Sequence, residues 1–369
     1  MPVFTPPRRL LFGAGPSQIP ERVYRALSQP IVGHLDPFFF ETVEHIRADL
    51  RPVFGTQNPF VNVLTGTGSI GMEASLSNFV EAGQKLAVFV SGFFAERMVE
   101  MGKRHGANVV RFDTPWGETA SEEEATAFIQ RERPHAVAFV HAETSTGALQ
   151  NPLAITKAAH AVGAITIADC VTSLGAIPIQ VDDNKIDVAF ACSQKGMSCP
   201  PGLSPITVSP RGVEYLKARK APCPIWYVDL KLLLEYYEGG HRYHHTAPIS
   251  SFYALREGLA AIFEEGVDAR FARHQAAHNA FVKRAAELNL EMFIQDPGQR
   301  IPNINTIKVP AGSVDGQVRK RLIDKYGIEI AAGFGPLAGK ILRIGLMGPL
   351  ATEENANMVA EKVAESAGA

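Results

Sequence analysis

The stretch Ala164-Ile-Thr-Ile-Ala168-Asp169-Cys-Val171 is a short apolar run that ends in a carboxylate. A run of this length and composition suits a strand buried on both faces of a parallel sheet. The run 187–191 follows one βαβ step later, and Ser193-Gln194-Lys195-Gly196 comes directly after it. Because parallel strands end at the same edge of a sheet, Asp169 and Lys195 are predicted to lie close together at that edge.

Short apolar runs recur before these two, and helical patterns lie between them. Ser121 and Glu124 have the spacing of a capping box and predict a helix over 121–132. The further strand candidates are 60–64, 85–90, 108–112 and 136–140. Repeated alternation of strand and helix predicts an α/β fold with a mainly parallel, doubly wound sheet.

The pattern changes in the last third of the chain. Residues 250–290 predict a long helix, and a tail follows that is rich in strands and turns and ends in a helix from about residue 352. The predicted strands of this tail are 305–309, 328–331 and 341–344. We therefore expect three parts, over 1–20, 21–265 and 266–369: an N-terminal segment, a large α/β domain and a small C-terminal α+β domain.

Composition excludes several classes of protein. The 369 residues are 46% apolar and 20% charged, which excludes a disordered chain. The net charge of −2 argues against nucleic acid or an anionic membrane as the main partner. No uncharged run has the length of a membrane helix, and no signal-peptide pattern is present, so a cytoplasmic protein is expected. The cysteines form no CxxC pair, which favours reduced thiols over a disulfide scaffold or a metal site; they are Cys170, Cys192, Cys199 and Cys223.

The glycine motif Gly66-Thr67-Gly68-Ser69-Ile-Gly71 follows the first strand candidate. A dinucleotide-binding turn has this pattern, but it also needs an acidic residue at the end of the next strand. Here that strand ends in Val90-Ser-Gly92, without a carboxylate. Two interpretations remain equally open: a helix N-terminus that binds a phosphate, and a turn in which glycine serves only packing.

Together these features point to pyridoxal phosphate. That cofactor needs a lysine for its Schiff base, an acid opposite the ring nitrogen and a site for its phosphate. Lys195, Asp169 and the glycine turn would supply them, and Phe94 could stack on the ring. Each residue alone has a commoner interpretation, because a single aspartate usually caps a turn, a single lysine is usually solvated and a single phenylalanine usually belongs to the core.

The chain resembles the class V aminotransferases of fold type I, most closely the alanine–glyoxylate and serine–pyruvate aminotransferase family. The resemblance covers nearly the whole length, and the ordered set of motifs is more specific than any one of them. The matching stretches are Gly13-Ala-Gly15-Pro16, Gly66-Thr-Gly68-Ser69, His141-Ala-Glu-Thr-Ser145-Thr-Gly147, Asp169-Cys-Val171-Thr-Ser-Leu-Gly175, Ser193-Gln194-Lys195, Pro200-Pro201-Gly202, Tyr243-His-His-Thr246 and Leu342-Arg343-Ile-Gly345.

The resemblance implies a role for each site residue. Lys195 would bind pyridoxal 5′-phosphate covalently and Asp169 would pair with its ring nitrogen, while Phe94 and Val171 would cover the two ring faces. Arg343 would bind the substrate carboxylate, with Gly15 nearby, and Ser145 would lie near the phenolic oxygen or the substrate. The phosphate would be held by Thr67, Gly68, Ser69 and Gln194, and by Tyr243 and Thr246 of a neighbouring subunit in a homodimer with shared sites.

The implied activity is transfer of an amino group from alanine or serine to glyoxylate or pyruvate. Animal members of the family usually have tryptophan where this chain has Phe94 and histidine where it has Ser69, so the exact substrate is less determined. Ureidoglycine or aspartate remain alternative donors, and aspartate would need a second cation, for which Arg8, Arg9 and Arg242 are candidates.

Three other classes fit the sequence less well. A cysteine desulfurase, a lyase of the same fold, would carry histidine before the lysine and a cysteine near 331–339, but this chain has Gln194 and no cysteine there. A cofactor-binding regulator would need a basic DNA-binding segment, for which there is no spare length. A nicotinamide-dependent oxidoreductase lacks the acid after Val90.

Overall fold

The computed structural model describes residues 4–237 and 242–368. Its strands are β1 (Leu10–Leu11), β2 (Phe60–Thr65), β3 (Lys85–Val90), β4 (Asn108–Asp113), β5 (Ala136–Val140), β6 (Ala142–Glu143), β7 (Ala148–Leu149), β8 (Ile165–Asp169), β9 (Val188–Phe190), β10 (Leu203–Val208), β11 (Ile304–Lys308), β12 (Ile328–Glu329), β13 (Ala331–Ala332) and β14 (Ile341–Gly345). Its α-helices are α1 (Glu21–Leu27), α2 (Pro37–Phe54), α3 (Gly68–Phe79), α4 (Phe93–Arg104), α5 (Glu122–Glu132), α6 (Leu153–Ala161), α7 (Pro210–Ala218), α8 (Leu230–Tyr237), α9 (Ile249–Glu265), α10 (Val267–Glu287), α11 (Asp315–Tyr326) and α12 (Glu353–Ala367).

A seven-stranded sheet organises the larger part of the chain, in the order β2-β10-β9-β8-β5-β3-β4. All neighbours pair in parallel except β10, which is antiparallel to both β2 and β9. The side chains of β5, β8, β9 and β10 are buried throughout, as expected for strands covered on both faces. The predicted α/β fold with a mainly parallel sheet is confirmed, and β10 is an addition that the sequence analysis did not contain.

Two hydrophobic clusters form the main core. One runs from Val23 to Ile262 and contains the buried side chains of the seven-stranded sheet. The other joins Phe12 to residues of α10, α11, α12, β11 and β14. In this second region β14 lies between β11 and β13 and is antiparallel to both.

The long helix expected over 250–290 is wrong as a single element. It is two helices, α9 and α10, because Gly266 between them has φ 91° and ψ 130°. Only glycine adopts this backbone conformation at low cost, so the chain changes direction there. The capping box of α5 is confirmed: Ser121 Oγ accepts from the Glu124 amide at 3.2 Å, and the Glu124 carboxylate accepts from the Ser121 amide at 3.1 Å.

The N-terminal segment is hydrogen-bonded to the last third of the chain and to the loop after β9. β1 pairs in parallel with β12, and the Gly345 amide donates to the Phe12 carbonyl at 2.7 Å. Further along, Ser17 Oγ donates to the Lys195 carbonyl at 2.7 Å. These bonds place Gly15 against the Lys195 side chain. No helix in the described ranges is long and apolar enough to cross a membrane.

Candidate active site

A cavity of about 470 Å³ opens at the carboxyl ends of β8 and β9. It lies where the N-terminal segment, the first turn of α3 and the β13–β14 region meet. The lining residues are Ala14, Gly15, Pro16, Thr67, Gly68, Ser69, Met72, Phe94, Arg97, Thr144, Asp169, Val171, Gln194, Lys195, Pro201, Ala331, Ala332, Phe334 and Arg343. The cavity therefore collects ten of the thirteen residues that the sequence analysis assigned to a site.

Lys195 enters the cavity from the loop that follows β9. Its Nζ donates to Thr144 Oγ1 at 3.2 Å and to Thr172 Oγ1 at 3.4 Å. Burial disfavours the charged ammonium and lowers the pKa of Lys195 to about 8. A substantial fraction of this amine is therefore neutral, and nucleophilic, near physiological pH.

Asp169 is the last residue of β8, and β8 pairs directly with β9, as the predicted proximity to Lys195 requires. Its Oδ1 accepts from the Val171 amide at 2.9 Å. Burial raises the pKa of Asp169 to about 7, although this hydrogen bond acts in the opposite direction. A cation bound next to Asp169 in the cavity would stabilise its ionised form.

The glycine turn ends β2 and begins α3, and Thr67, Gly68 and Ser69 line the cavity. Thr67, the N-cap, makes no side-chain capping bond. The first amides of a helix have no partner within the helix, so those of α3 can bind an anion in the cavity. Packing also requires glycine here, because a Cβ on Gly68 would lie 2.6 Å from Val171 Cγ2. The packing interpretation of the motif is therefore confirmed, and the phosphate-binding interpretation stays a prediction.

Arg343 lies on β14 and is held in place by neutral partners. Its Nε donates to the Ala332 carbonyl at 2.7 Å and its Nη1 to the Thr144 carbonyl at 3.0 Å. The guanidinium lies 4.3 Å from the centre of the Phe334 ring. Within the described ranges it forms no ion pair with a carboxylate, and burial lowers its pKa to about 10. An anion in the cavity would satisfy this charge.

Three of the expected residues do not line this cavity. Ser145 is buried behind it, where its Oγ donates to Glu143 Oε1 at 2.6 Å and accepts from the Phe93 amide at 2.9 Å. Tyr243 and Thr246 are exposed on the surface of the chain. The residues 239–240 before this loop lie outside the described residues. Between Tyr243 and Thr246, His244 is buried and stacks on Trp226 with ring centres 4.2 Å apart.

Several cavity residues were missed by the sequence analysis. Arg97 follows Phe94 by one helical turn, and that spacing is a signal that could have found it. Thr144 lines the cavity and lies inside the motif 141–147, but no role was assigned to it. Its neighbour Glu143, which is buried and does not line the cavity, was also given no role. Phe334 has no signal in the sequence. The suggested second cations, Arg8, Arg9 and Arg242, do not line the cavity.

The chain matches the family model "Aminotransferase class-V" over residues 9–347. An alanine–glyoxylate aminotransferase from Rattus norvegicus is 36% identical over 98% of this chain and 88% of that protein. Two solved structures are close in fold. The alanine–glyoxylate aminotransferase from Nostoc sp. has a TM-score of 0.97 and 38% identity, with 99% of this chain and 97% of that chain covered. The ureidoglycine–glyoxylate aminotransferase from Bacillus subtilis has a TM-score of 0.96 and 34% identity, with 99% and 94% covered.

Proposed function

The chain belongs to the class V aminotransferases, and we propose that it moves the amino group of alanine or serine to glyoxylate or pyruvate, with pyridoxal 5′-phosphate as cofactor. The observation that carries the proposal is the meeting of Lys195, Asp169 and Arg343 in one cavity. These side chains supply an amine, a carboxylate and a guanidinium, which are the groups needed for the aldehyde, the ring nitrogen and the substrate carboxylate.

The residues present fit the cofactor. The Asp169 carboxylate is buried without a cation bonded to it in the described ranges, and a pyridinium N–H would supply that cation. The amides of α3 face a position suited to a phosphate, and Gln194 lines the same cavity with a side-chain NH2 group that can donate to this anion. When bound, the cofactor supplies the carbonyl carbon that accepts the amino group and a ring that withdraws electrons.

Residues in the walls of the cavity would position the cofactor. We assign the phosphate to Thr67, Gly68, Ser69 and Gln194. The ring would lie between Phe94 and Val171, and Asp169 would remain ionised because it pairs with the ring nitrogen. Ser145 would support this wall from behind, since its hydroxyl holds the Phe93 amide at the start of α4.

Lys195 would move the proton. With a pKa of about 8, its Nζ can take a proton from the Cα of the bound amino acid and can later return it, as general base and then general acid. Its contacts with Thr144 and Thr172 restrict where Nζ can lie. Gly15 covers the lysine stem, and a Cβ there would lie 3.0 Å from Lys195 Cε. The amine is thereby directed into the cavity.

Arg343 would bind and orient the amino acid. Two of its guanidinium nitrogens are bonded to carbonyls of Ala332 and Thr144, so the rotamer is fixed before substrate arrives. A carboxylate bound to this guanidinium would be held at one end, with its Cα toward Lys195. A donor with an uncharged side chain needs no further cation, which favours alanine or serine over aspartate.

A homodimer with shared sites is the second part of the proposal. Tyr243 is 57% exposed, and Tyr243 and Thr246 lie away from the cavity of their own chain. Large apolar side chains are exposed elsewhere on the chain, which is typical of a protein with a partner surface; they include Tyr24, Ile31, Leu35, Phe38 and Trp226. We propose that Tyr243 and Thr246 reach the cofactor phosphate of the neighbouring subunit.

We also propose that the chain has two domains and resides in the cytoplasm. The two large hydrophobic clusters and the break at Gly266 support a large domain over 21–265 and a small domain over 266–369. The N-terminal segment, 1–20, would reach the active site through Gly15, which lies against the Lys195 side chain. The four cysteines are free thiols, which supports a reducing compartment such as the cytoplasm.

The test is an assay of the purified chain with a panel of donors. Alanine, serine, ureidoglycine and aspartate are each paired with glyoxylate and with pyruvate, and Lys195→Ala serves as the inactive control. We expect a visible absorbance band that the control lacks, and turnover with alanine or serine. Preference for ureidoglycine or aspartate would replace the proposed donor. A chain without the band, even after pyridoxal phosphate is added, would refute the cofactor assignment.

A further inference from the structure

We propose that Arg97 binds the phosphate of the cofactor directly, as a charged partner for the uncharged groups at the start of α3. The inference rests on the proposed function, because it needs pyridoxal phosphate in this cavity. It adds a residue from α4 to a phosphate site otherwise built from β2–α3, the loop after β9 and the neighbouring subunit.

Arg97 is already bonded to the start of α3. Its Nη1 donates to Ser69 Oγ at 3.2 Å, and Ser69 is the second residue of that helix. Both side chains line the cavity. A ligand bound at the first amides of α3 would therefore lie within reach of this guanidinium.

Two aromatic rings hold the guanidinium at this position. Its carbon lies 5.0 Å from the centre of the Phe94 ring and 5.5 Å from that of Phe93. The residues are three and four positions apart on α4, so they share one helical face. Arginine stacked in this way keeps a planar set of N–H donors in a fixed orientation, which suits the oxygens of a phosphate.

The side chains that line the cavity give Arg97 no bonded anion, and Asp169 interacts with it only through space. The ionisable lining residues are Arg97, Lys195 and Arg343 against Asp169 alone. Across 4–237 and 242–368, the side chain of Arg97 donates to Ser69, and no Asp or Glu forms an ion pair with it. A half-buried guanidinium that faces a cavity without a carboxylate partner is suited to an anionic ligand.

The position of Arg97 favours the phosphate over the substrate carboxylate. The guanidinium is bonded to the N-terminal turn of α3, whose partial positive charge also attracts a dianion. Arg343 occupies a different wall, on β14, and its contacts direct it to the substrate carboxylate. Two anions, one on the cofactor and one on the substrate, thus have two separate guanidiniums.

The test compares a phosphorylated with an unphosphorylated ligand. Pyridoxamine 5′-phosphate and pyridoxamine are titrated calorimetrically into the full-length, cofactor-stripped chain, because neither forms a covalent bond with Lys195. For Arg97→Gln we expect the Kd of pyridoxamine phosphate to rise about tenfold to a hundredfold, the effect of one lost charge-assisted hydrogen bond. The Kd of pyridoxamine should stay within about twofold.

The controls separate this role from others. Arg97→Lys keeps the charge but not the planar donors, and we expect an intermediate loss of affinity for pyridoxamine phosphate. This variant tests the inference even if the glutamine variant is unstable. Arg104→Gln removes an exposed arginine on the same helix, paired with Glu100, and should leave both affinities unchanged. Equal losses for both ligands would mean that Arg97 only supports Phe94, and unchanged affinities would exclude contact with the phosphate. Either result would overturn the role of Arg97 but leave the proposed function standing. If the unmodified chain binds neither ligand, the proposed function itself is refuted.

Discussion

At the scale of single residues, burial shifts the pKa values of Lys195 and Asp169 so that the neutral form of each is favoured. The pKa of Lys195 falls to about 8, and that of Asp169 rises to about 7. pKa shifts of this size in a cavity are typical of catalytic groups. Burying an ionisable side chain lowers the stability of the fold, so such groups concentrate where function requires them. The two residues therefore lead to different pH-dependent behaviour in the cofactor-free chain.

Asp169→Asn should separate stability from activity. Between the unfolded pKa of 3.8 and the folded value of about 7, the folded chain binds more protons at Asp169. The free energy of unfolding of the cofactor-free chain should thus fall as pH rises through this window, and the asparagine variant should show a flatter dependence. Its turnover should fall by about two to three orders of magnitude.

Urea unfolding at several pH values and steady-state kinetics measure the two effects. Asp113→Asn is a matched control, because Asp113 also ends a parallel strand of the sheet but is exposed and paired with Arg111. Full activity of the Asp169 variant would show that this carboxylate is only a turn cap.

The Lys195 pKa predicts the pH dependence of cofactor capture. Only the neutral amine attacks the aldehyde of pyridoxal phosphate, so the capture rate should rise with pH and level off above about 8. An unperturbed lysine would continue to gain reactivity up to about pH 10. Stopped-flow absorbance of the cofactor-stripped chain gives the profile, and a rise that continues past pH 9 would contradict the shift.

At the scale of elements, Glu143 connects the loop after β5 to the start of α4. Its Oε1 accepts from the Ser145 amide and hydroxyl, and its Oε2 accepts from the amides of Phe94 and Ala95 at 3.1 and 3.3 Å. Burial raises the pKa of Glu143, whereas these four bonds favour the ionised carboxylate. The residue thereby fixes Phe94, which we assign to the face of the cofactor ring.

Glu143→Gln should weaken this connection. An amide has one acceptor oxygen instead of two, so two of the four buried donors lose their partner, at about 1–3 kcal/mol each. We expect the free energy of unfolding to fall accordingly in urea titrations. Glu100→Gln, on the exposed face of α4, is the control and should change stability little. Similar losses in both variants would contradict a specific role for Glu143.

The sequence predicted those elements whose signal is local. The run that ends in Asp169 and the capping box at Ser121 are of this kind. β10 was missed because Pro205 argues against a central strand, and its pairing with β2 and β9 depends on distant residues. Glu143 was missed for a similar reason, because its bonds to Phe94 and Ala95 join segments far apart in the sequence. The bond from Arg97 to Ser69 was also out of reach, although the helical spacing of Arg97 from Phe94 was visible in the sequence.

At the scale of the whole molecule, the proposed homodimer with shared sites predicts complementation between two defective chains. One chain carries Lys195→Ala and the other carries Tyr243→Phe with Thr246→Ala. In a hybrid dimer with shared sites, one site has both defects and the other has neither. After random exchange of subunits, about a quarter of full activity should return.

Subunit exchange must be measured independently, for example with differently tagged chains. Each variant alone sets the background activity. If exchange is complete and no activity returns above that background, then Tyr243 and Thr246 serve their own chain and the shared-site arrangement is refuted.

The position of Arg343 near the end of the chain also has a consequence for biosynthesis. The last strand of the seven-stranded sheet ends at Val208, and a ribosome needs roughly 7–27 s for the about 135 residues from there to Arg343. During that interval the nascent chain already contains Lys195, Asp169 and the turn at Gly68. We expect that it can take up cofactor while translation continues, whereas amino acid binding has to wait until β14 has left the ribosome.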